Sequence, residues 1–275
     1  MKIAITGNCQ VVPLKSVFAH YLSDAEVFEL EIWRFKGEQF FEQAKKLTDC
    51  DIIFSQPIHS DYFRPFTINE MKALCSEHGI KLVFFHNLAF DGTLPDCRYL
   101  GKIGSRIKGA ISDYHSSIIV KSYLEGHDEN KCLDRVRSGY DIDARAVWDK
   151  SVSEILSREL TVDVPFADEV VELTRHVDSF HYFNHPKPQM LHKYGKKILE
   201  HSLSLSIKED SLVLDDDLAK YGSWPVYSWV AEALGLDYHV DAFMGSHYQP
   251  GRIELSDFIS QSYKIYSTIP REDIV

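Results

Sequence analysis

The residues best equipped for chemistry stand where apolar runs stop. Gly7-Asn8-Cys9-Gln10 closes the run KIAIT (2–6) and precedes VVPLKSVFAHYL (11–22), whose apolar residues recur at helical spacing. A thiol at the first turn of a helix meets the positive end of the helix dipole and outward-facing backbone N–H groups. Both favour thiolate over thiol, lowering the pKa from its free value of about 8.5 and making Cys9 a candidate nucleophile for acyl chemistry. Gly7 permits a tight strand-to-helix turn and the close approach of a ligand. Asn8 and the amides after it can donate to an oxyanion. The alternative is a thiol that merely packs; the polar neighbours Asn8 and Gln10 favour chemistry.

Two further strand ends carry polar residues. CDIIFSQP (50–57) ends in Ser55-Gln56-Pro57, and IKLVFFHN (80–87) ends in His86-Asn87. An Asn there can aim its amide at an oxyanion near Cys9, or simply start the turn into LAFDGTLPD. Later, HVDSFHYFNHPKPQML sets Asp178 three residues before His181, and His185 directly before Pro186. An acid beside an imidazole orients it for general-base work, with either histidine as the base. Asn184 as a helix cap, with Pro186 and Pro188 near the first turn, is the structural alternative. In ISDYHSS, Asp113 and His115 can reach the same cleft, although Ser112 or Asp113 as a plain helix cap explains the segment as well. GKIGSRIKG (101–109) sets Lys102, Arg106 and Lys108 among glycines, a composition that suits phosphate groups without matching an established loop signature. HKYGKK (192–197) reads as a solvated helix face, and Asp215-Asp216-Asp217 as an acidic loop lacking a second ligand group. In SWPVYSW, Ser223 is the expected cap of a core helix with Pro225 near its start.

The elements that must hold these residues alternate through the first third. After KIAIT and its helix come a strand at EVFELEIW (26–33), an amphipathic helix over 37–49 and the strand at 50–57. A helix over 67–79 follows, with Thr67 and Glu70 as a capping box and Gly79 as its stop, and then the strand at 80–87. This order predicts an α/β fold, a mostly parallel sheet with helices on both faces, and a ligand site beyond the carboxyl ends of the strands. Helical patterns dominate afterwards, over 116–126, 143–160, 187–205, 224–235 and 255–269. The expected division is a sheet domain over 1–120 carrying the nucleophile loop, and a mainly helical part over 121–275 packed over the sheet edge, with a single domain spanning both as the alternative.

Composition narrows the function. A formal net charge of −11 over 275 residues argues against a general nucleic-acid binder. Five cysteines without a C-x-x-C pair form neither a disulfide framework nor a zinc knuckle, Cys75 and His78 lack a second pair at ligand spacing, and no metal is expected. Isolated thiols, an opening that turns polar at once and the lack of a long apolar run predict a cytoplasmic protein.

Gly-Asn-Cys-Gln after strand one, Asn87 after a later strand and a late Asp-x-x-His resemble the layout of SGNH/GDSL hydrolases. In that layout the nucleophile follows strand one, and an Asn and a late Asp-x-x-His complete the site. Here Cys9 stands in place of the serine, and Gln56 or Pro57 in place of a glycine. GNCQ (7–10), SQP (55–57), DYH (113–115) and FNHP (183–186) more closely resemble the WcbI-like polysaccharide biosynthesis family, which binds coenzyme A and is assigned as acetyltransferases. The resemblance implies an SGNH/flavodoxin-like sheet and acyl transfer, acetyl above all, from coenzyme A to a sugar hydroxyl in capsular or other surface polysaccharide. Cys9 would sit at the acyl centre, His185 or His181 would take the proton, and Asp178 would support the histidine. Asn87 and Asn8 would stabilise the oxyanion, with Gly7, Gln10, Gln56, His86, His115 and Asn184 around the substrates. Lys102, Arg106 and Lys108 would hold the coenzyme A phosphates. A thioesterase or esterase with water as acceptor, and a non-catalytic coenzyme A- or glycan-binding protein, are the competing readings.

Overall fold

The computed structural model describes residues 1–102, 104–208 and 212–274; Ile103 of the basic segment lies outside them. In chain order the elements are β1 (Lys2–Gly7), α1 (Val11–Tyr21), β2 (Glu26–Glu31), α2 (Gln39–Ala44), β3 (Ile52–Ser55), α3 (Ile68–His78) and β4 (Lys81–Phe84). Then come β5 (Cys97–Tyr99), β6 (Gly101–Lys102), β7 (Ser105–Arg106), β8 (Tyr114–Ser116), α4 (Ser117–Leu124), α5 (Glu129–Ser138), α6 (Ala144–Glu159) and α7 (Ala167–His176). The chain closes with β9 (Phe180–Tyr182), β10 (His185–Pro186), α8 (Pro188–Leu203), α9 (Ser228–Leu234), β11 (Phe243–Met244), β12 (Arg252–Ile253) and α10 (Leu255–Tyr266).

These elements fall into two compact units. The first comprises residues 1–88, 155–170 and 186–217; the second comprises 89–154, 171–185 and 218–275. Residue 120, the expected break, lies inside the second unit's first segment.

In the first unit the strands run parallel in the order β2-β1-β3-β4, with Ile5 paired to Phe54 and Phe54 to Val83. Val164 adds a parallel bridge to Phe85 beyond β4. Both faces of the central strands are apolar, as a parallel sheet covered on both sides requires. Ala4 and Ile53 join Phe40, Leu47, Phe66, Met71 and Cys75, drawn largely from α2, α3 and their flanks. The edge of the Phe18 ring, from α1, meets Phe54 at 5.0 Å. Helix α8 packs on α1 through Gly195, where a Cβ would come within 2.7 Å of Val17.

The second unit is built on α4, α5 and α10, which pack together, and on short antiparallel pairs, β5 with β8, β6 with β7 and β11 with β12. Its core is aromatic: the Phe243 and Phe258 rings stack at 3.9 Å, with the edge of Trp224 against both. The carboxylate of Asp96, buried beneath them, accepts from Trp224 Nε1 at 2.9 Å and Tyr227 Oη at 3.2 Å.

Local departures from the sequence reading have local causes. Half of the capping box at Thr67 forms: the Glu70 carboxylate accepts from the Thr67 backbone N–H, while the Thr67 hydroxyl donates to that carboxylate at 2.6 Å instead of accepting from the helix. Ser116, not Ser112 or Asp113, caps α4 by accepting from Ile119 N–H. Ser223 does not cap α9: it bridges Met244, and α9 begins at Ser228 with Tyr227 at its cap position. Lys187 rather than Asn184 holds the cap position of α8, with Pro188 in its first turn. Helix α5 escapes the reading because it buries only Cys132 and Val136 along a polar stretch.

Candidate functional site

Strand β1 ends at Gly7, and residues 8–11 form a turn closed by Val11 N–H donating to the Asn8 carbonyl at 3.2 Å. Gln10 is the cap residue of α1, so Cys9 stands one position ahead of the cap rather than within the helix's first turn as expected. Its residue is 7% exposed.

The loop is immobilised by side-chain amides from three strand ends. Asn8 N–H donates to Gln56 Oε1 at 2.9 Å, and Asn8 Nδ2 donates to Asn87 Oδ1 at 2.9 Å. Asn8 Oδ1 in turn accepts from Gln10 N–H at 3.0 Å. The fully buried Gln10 side chain donates to the Leu88 carbonyl at 2.9 Å and to Asn87 Oδ1 at 3.3 Å, and accepts from Leu88 N–H at 3.1 Å and Gln56 Nε2 at 3.2 Å. Beneath them the Thr6 hydroxyl donates to Ser55 Oγ at 2.9 Å.

This web reassigns several expected roles. A Cβ on residue 7 would lie 2.5 Å from Gln56 Oε1, so the close approach that Gly7 permits is that of Gln56. The N–H groups of Asn8 and Gln10, expected to face an oxyanion, hold the loop. Asn87 is different. Its Oδ1 accepts twice, which leaves Nδ2 as the donor end of a half-buried amide at the carboxyl edge of the sheet. Of the expected oxyanion groups, Asn87 Nδ2 fits the task best.

His86 turns to a residue that the sequence reading missed. Its Nε2 lies 3.3 Å from Glu159 Oε1, which also accepts the N–H groups of Phe166 and Ala167 at 2.6 and 2.7 Å. Burial lowers the His86 pKa against the opposing pull of Glu159. Burial works to raise the Glu159 pKa, but the Ala167 and Phe166 amides and His86 outweigh it and hold the carboxyl below its ordinary range. Nothing near position 159 in sequence signals the pair; it exists because the end of α6 reaches the end of β4 in the first unit.

The remaining candidates belong to the second unit. The His115 Nε2 faces the Ile107 carbonyl at 3.1 Å and its Nδ1 the Tyr266 hydroxyl at 3.0 Å, so both ring nitrogens are engaged within that unit. His181 is buried, its carbonyl accepting from Trp224 N–H at 2.7 Å. The Asp178 charge acts on Tyr238, adding to burial in raising that hydroxyl's pKa. His185 is 5% exposed and sits among the rings of Tyr114, Tyr182 and Tyr221, with Nε2 3.3 Å from Tyr114 Oη. Burial, helped by the charges of His181 and Lys220, pushes its pKa down to about 3, so the imidazole is neutral at physiological pH. Asn184 bonds Tyr114 and Tyr99, tyrosines without individual roles in the sequence reading although Tyr114 lies within the DYH motif. Of the three cations, Lys108 pairs with Asp113 at 2.5 Å, Arg106 lies 3.3 Å over the Tyr99 ring, and Lys102 is exposed on the β6–β7 hairpin.

Among the described residues no cluster of three or more His, Cys, Asp or Glu side chains is placed to hold a metal ion, and no helix is long and apolar enough to cross a membrane.

Comparison with known proteins gives two findings. The family model described as "Polysaccharide biosynthesis enzyme WcbI" matches residues 2–204. A solved structure of WcbI, described as a novel polysaccharide biosynthesis enzyme in its native form without a disulfide bond between coenzyme A and one of its cysteines, shares the fold. Its TM-score is 0.80 at 15% identity, covering 99% of this chain and 92% of that one. No curated protein matches the chain.

Proposed function

Because the chain belongs to the WcbI family of polysaccharide biosynthesis enzymes, we propose that it is an O-acyltransferase that moves an acetyl group from coenzyme A to a sugar hydroxyl of a surface-polysaccharide precursor in the cytoplasm. The observation that carries this reading is the Cys9 loop. It is a thiol at the carboxyl edge of a parallel sheet, just ahead of a helix, locked by Gln10, Gln56 and Asn87. The description of the similar structure, which names coenzyme A and a cysteine as the partners of a disulfide that this native form lacks, supports coenzyme A as the ligand.

In this reading the Cys9 sulfur attacks the thioester carbonyl, the bond from that carbon to the coenzyme A sulfur breaks, and the Cys9 proton goes to the departing coenzyme A thiolate. Asn87 Nδ2 donates to the oxyanion of the tetrahedral intermediate, and the sugar hydroxyl then attacks the acyl-cysteine. The hydroxyl proton passes to a base, for which His185 is the candidate, and ends on the departing sulfur. The neutral form of His185 is the one a base needs. Lys102 and Arg106 supply charge for the coenzyme A phosphates.

The test is intact-mass spectrometry after incubation with acetyl-CoA, alone and with a sugar acceptor. An acetyl adduct that is absent in Cys9→Ala and discharged by the acceptor is the expected result. Full transfer by Cys9→Ala would overturn the nucleophile. Coenzyme A release at the same rate with and without sugar would identify a thioesterase instead.

A further inference from the structure

A protein hydroxyl has one proton, and following that proton settles which nitrogen of His185 is basic. Tyr114 Oη lies 2.6 Å from Asn184 Oδ1, and a carbonyl oxygen only accepts, so the Tyr114 proton is committed there. The Asn184 Nδ2 group donates to Tyr99 Oη at 2.9 Å. Tyr99 and Tyr114 Oη are 3.0 Å apart, and since Tyr114 has already spent its proton, Tyr99 is the donor of that pair. The three side chains therefore form a closed circuit, each donating to the next. His185 Nε2, 3.3 Å from Tyr114 Oη, meets a hydroxyl with no hydrogen to give, so Nε2 must carry the hydrogen of that bond. A neutral imidazole has a single N–H, and the lone pair falls to Nδ1. That atom is buried without a hydrogen-bond partner among the described residues. A buried, unsatisfied polar atom in a native protein calls for an explanation, and a proton-accepting role is one.

We infer that Tyr114, oriented by Tyr99 and Asn184, is a positioning residue that holds His185 as the Nε2–H tautomer, so that Nδ1 is the atom that receives the proton of the accepting hydroxyl. The inference rests on the reading of His185 as the base. The sugar O–H bond breaks as its proton passes to Nδ1 and its oxygen bonds to the acyl carbon. The carbon–sulfur bond then breaks, and the Nδ1 proton passes to the departing thiolate. Products are an ester and a thiol, with His185 returned to its starting form. During the step both imidazole nitrogens carry hydrogen, and Tyr114 Oη accepts the Nε2–H of the imidazolium. The rings of Tyr182 and Tyr221, centred 5.5 and 5.1 Å from the imidazole, confine it on other sides. Burial keeps it neutral between turnovers.

Nitrogen-15 NMR of histidine-labelled protein reads the tautomer without reference to activity, with His185→Gln assigning the resonance. The expected wild-type state is Nε2–H. Asn184→Asp retains an acceptor for the Tyr114 proton and keeps that state. Asn184→Ala frees the proton to donate to Nε2 and turns His185 into the Nδ1–H form. Tyr114→Phe loses the lock, and kcat falls by at least about tenfold while KM for both substrates stays within about twofold. An Nδ1–H wild-type resonance would mean that the circuit runs the other way and would overturn the inference, whatever the variants do. So would an unchanged tautomer in folded Asn184→Ala. Full transfer activity in His185→Gln, with the wild-type tautomer as expected, would instead sink the reading of His185 as base and leave the tautomer lock as a purely structural device.

Discussion

Gln10 and Leu88 pair as two amides: the Gln10 Nε2 donates to the Leu88 carbonyl at 2.9 Å while its Oε1 accepts the Leu88 N–H at 3.1 Å. A buried side chain thus completes the hydrogen bonding of a peptide that continues past the end of β4, at the point where the sheet's own ladder has stopped. Replacing Gln10 with Leu fills the volume but strands a buried N–H and a buried C=O. The expected cost is on the order of 3 kcal/mol, measured as a shift in the urea midpoint at constant slope. A loss below about 0.5 kcal/mol would show that the Leu88 peptide finds other partners.

The sequence discloses the existence of this arrangement, and not its wiring. Apolar runs rich in β-branched and aromatic residues announced β1, β3 and β4, and a parallel order then had to bring GNCQ, SQP and HN to one edge. Which atom meets which was hidden, because amide pairings such as Asn8 with Asn87 span 79 residues and leave no periodicity. Gly7 illustrates the limit. Its type signalled a crowded turn, but the neighbour that crowds it, Gln56, is visible only in three dimensions. The second unit was less legible still, since two- and three-residue strands such as β6 and β8 are too short to show alternation.

The crowding at Gly7 is measurable. Gly7→Ala needs no unusual backbone angle, yet its Cβ claims the space of the Gln56 amide and breaks the bond to Asn8 N–H. The variant is expected to lose about 1–3 kcal/mol. Gln56→Ala removes both the obstacle and the bond, so adding Gly7→Ala to it costs little. A double-mutant cycle should return a coupling of about 1 kcal/mol or more; strict additivity would mean that the Gln56 side chain moves aside freely.

Asn87 separates anchoring from catalysis. Asn87→Asp keeps an acceptor for Asn8 and Gln10 but removes the Nδ2 donor, whereas Asn87→Ala removes both. Both variants are expected to lower kcat by about 100-fold, the usual cost of one oxyanion donor, and Asn87→Ala should also lower the melting temperature more than Asn87→Asp does. A wild-type kcat in Asn87→Asp would move the oxyanion donor elsewhere.

The basic segment contains cations in unequal states. Lys108 is paired with Asp113 and Arg106 is stacked on Tyr99, while Lys102 is exposed on the hairpin. If these groups hold coenzyme A phosphates, Arg106→Ala and Lys102→Ala each weaken binding by about tenfold, or 1.4 kcal/mol, and Lys108→Ala does less. Calorimetric titration with coenzyme A at two ionic strengths checks both the ranking and the loss of affinity in salt expected of exposed charges. Equal affinities for all three variants would place the phosphates elsewhere.

The depressed His185 pKa links folding to pH with a definite sign. Burial takes it from 6.5 to about 3, so between those values the unfolded chain binds a proton that the native protein refuses. Stability contributed by the neutral imidazole is complete above pH 6.5 and is lost as pH falls, at about 1.4 kcal/mol per pH unit once the unfolded form is fully protonated. His86 and His115, also depressed by burial, act in the same direction. Asp96 opposes them: burial raises its carboxyl, so the native state keeps a proton that the unfolded chain releases, and stability falls as pH rises above the unfolded carboxyl's 3.8. Comparing the wild type with His185→Gln cancels those other groups. From pH 7 to pH 4, urea unfolding should show the wild type losing stability more steeply than the variant, the gap widening below pH 6.5. Parallel curves across that range would mean that His185 takes up its proton in the native fold as readily as in the unfolded chain, so that burial does not hold the imidazole neutral.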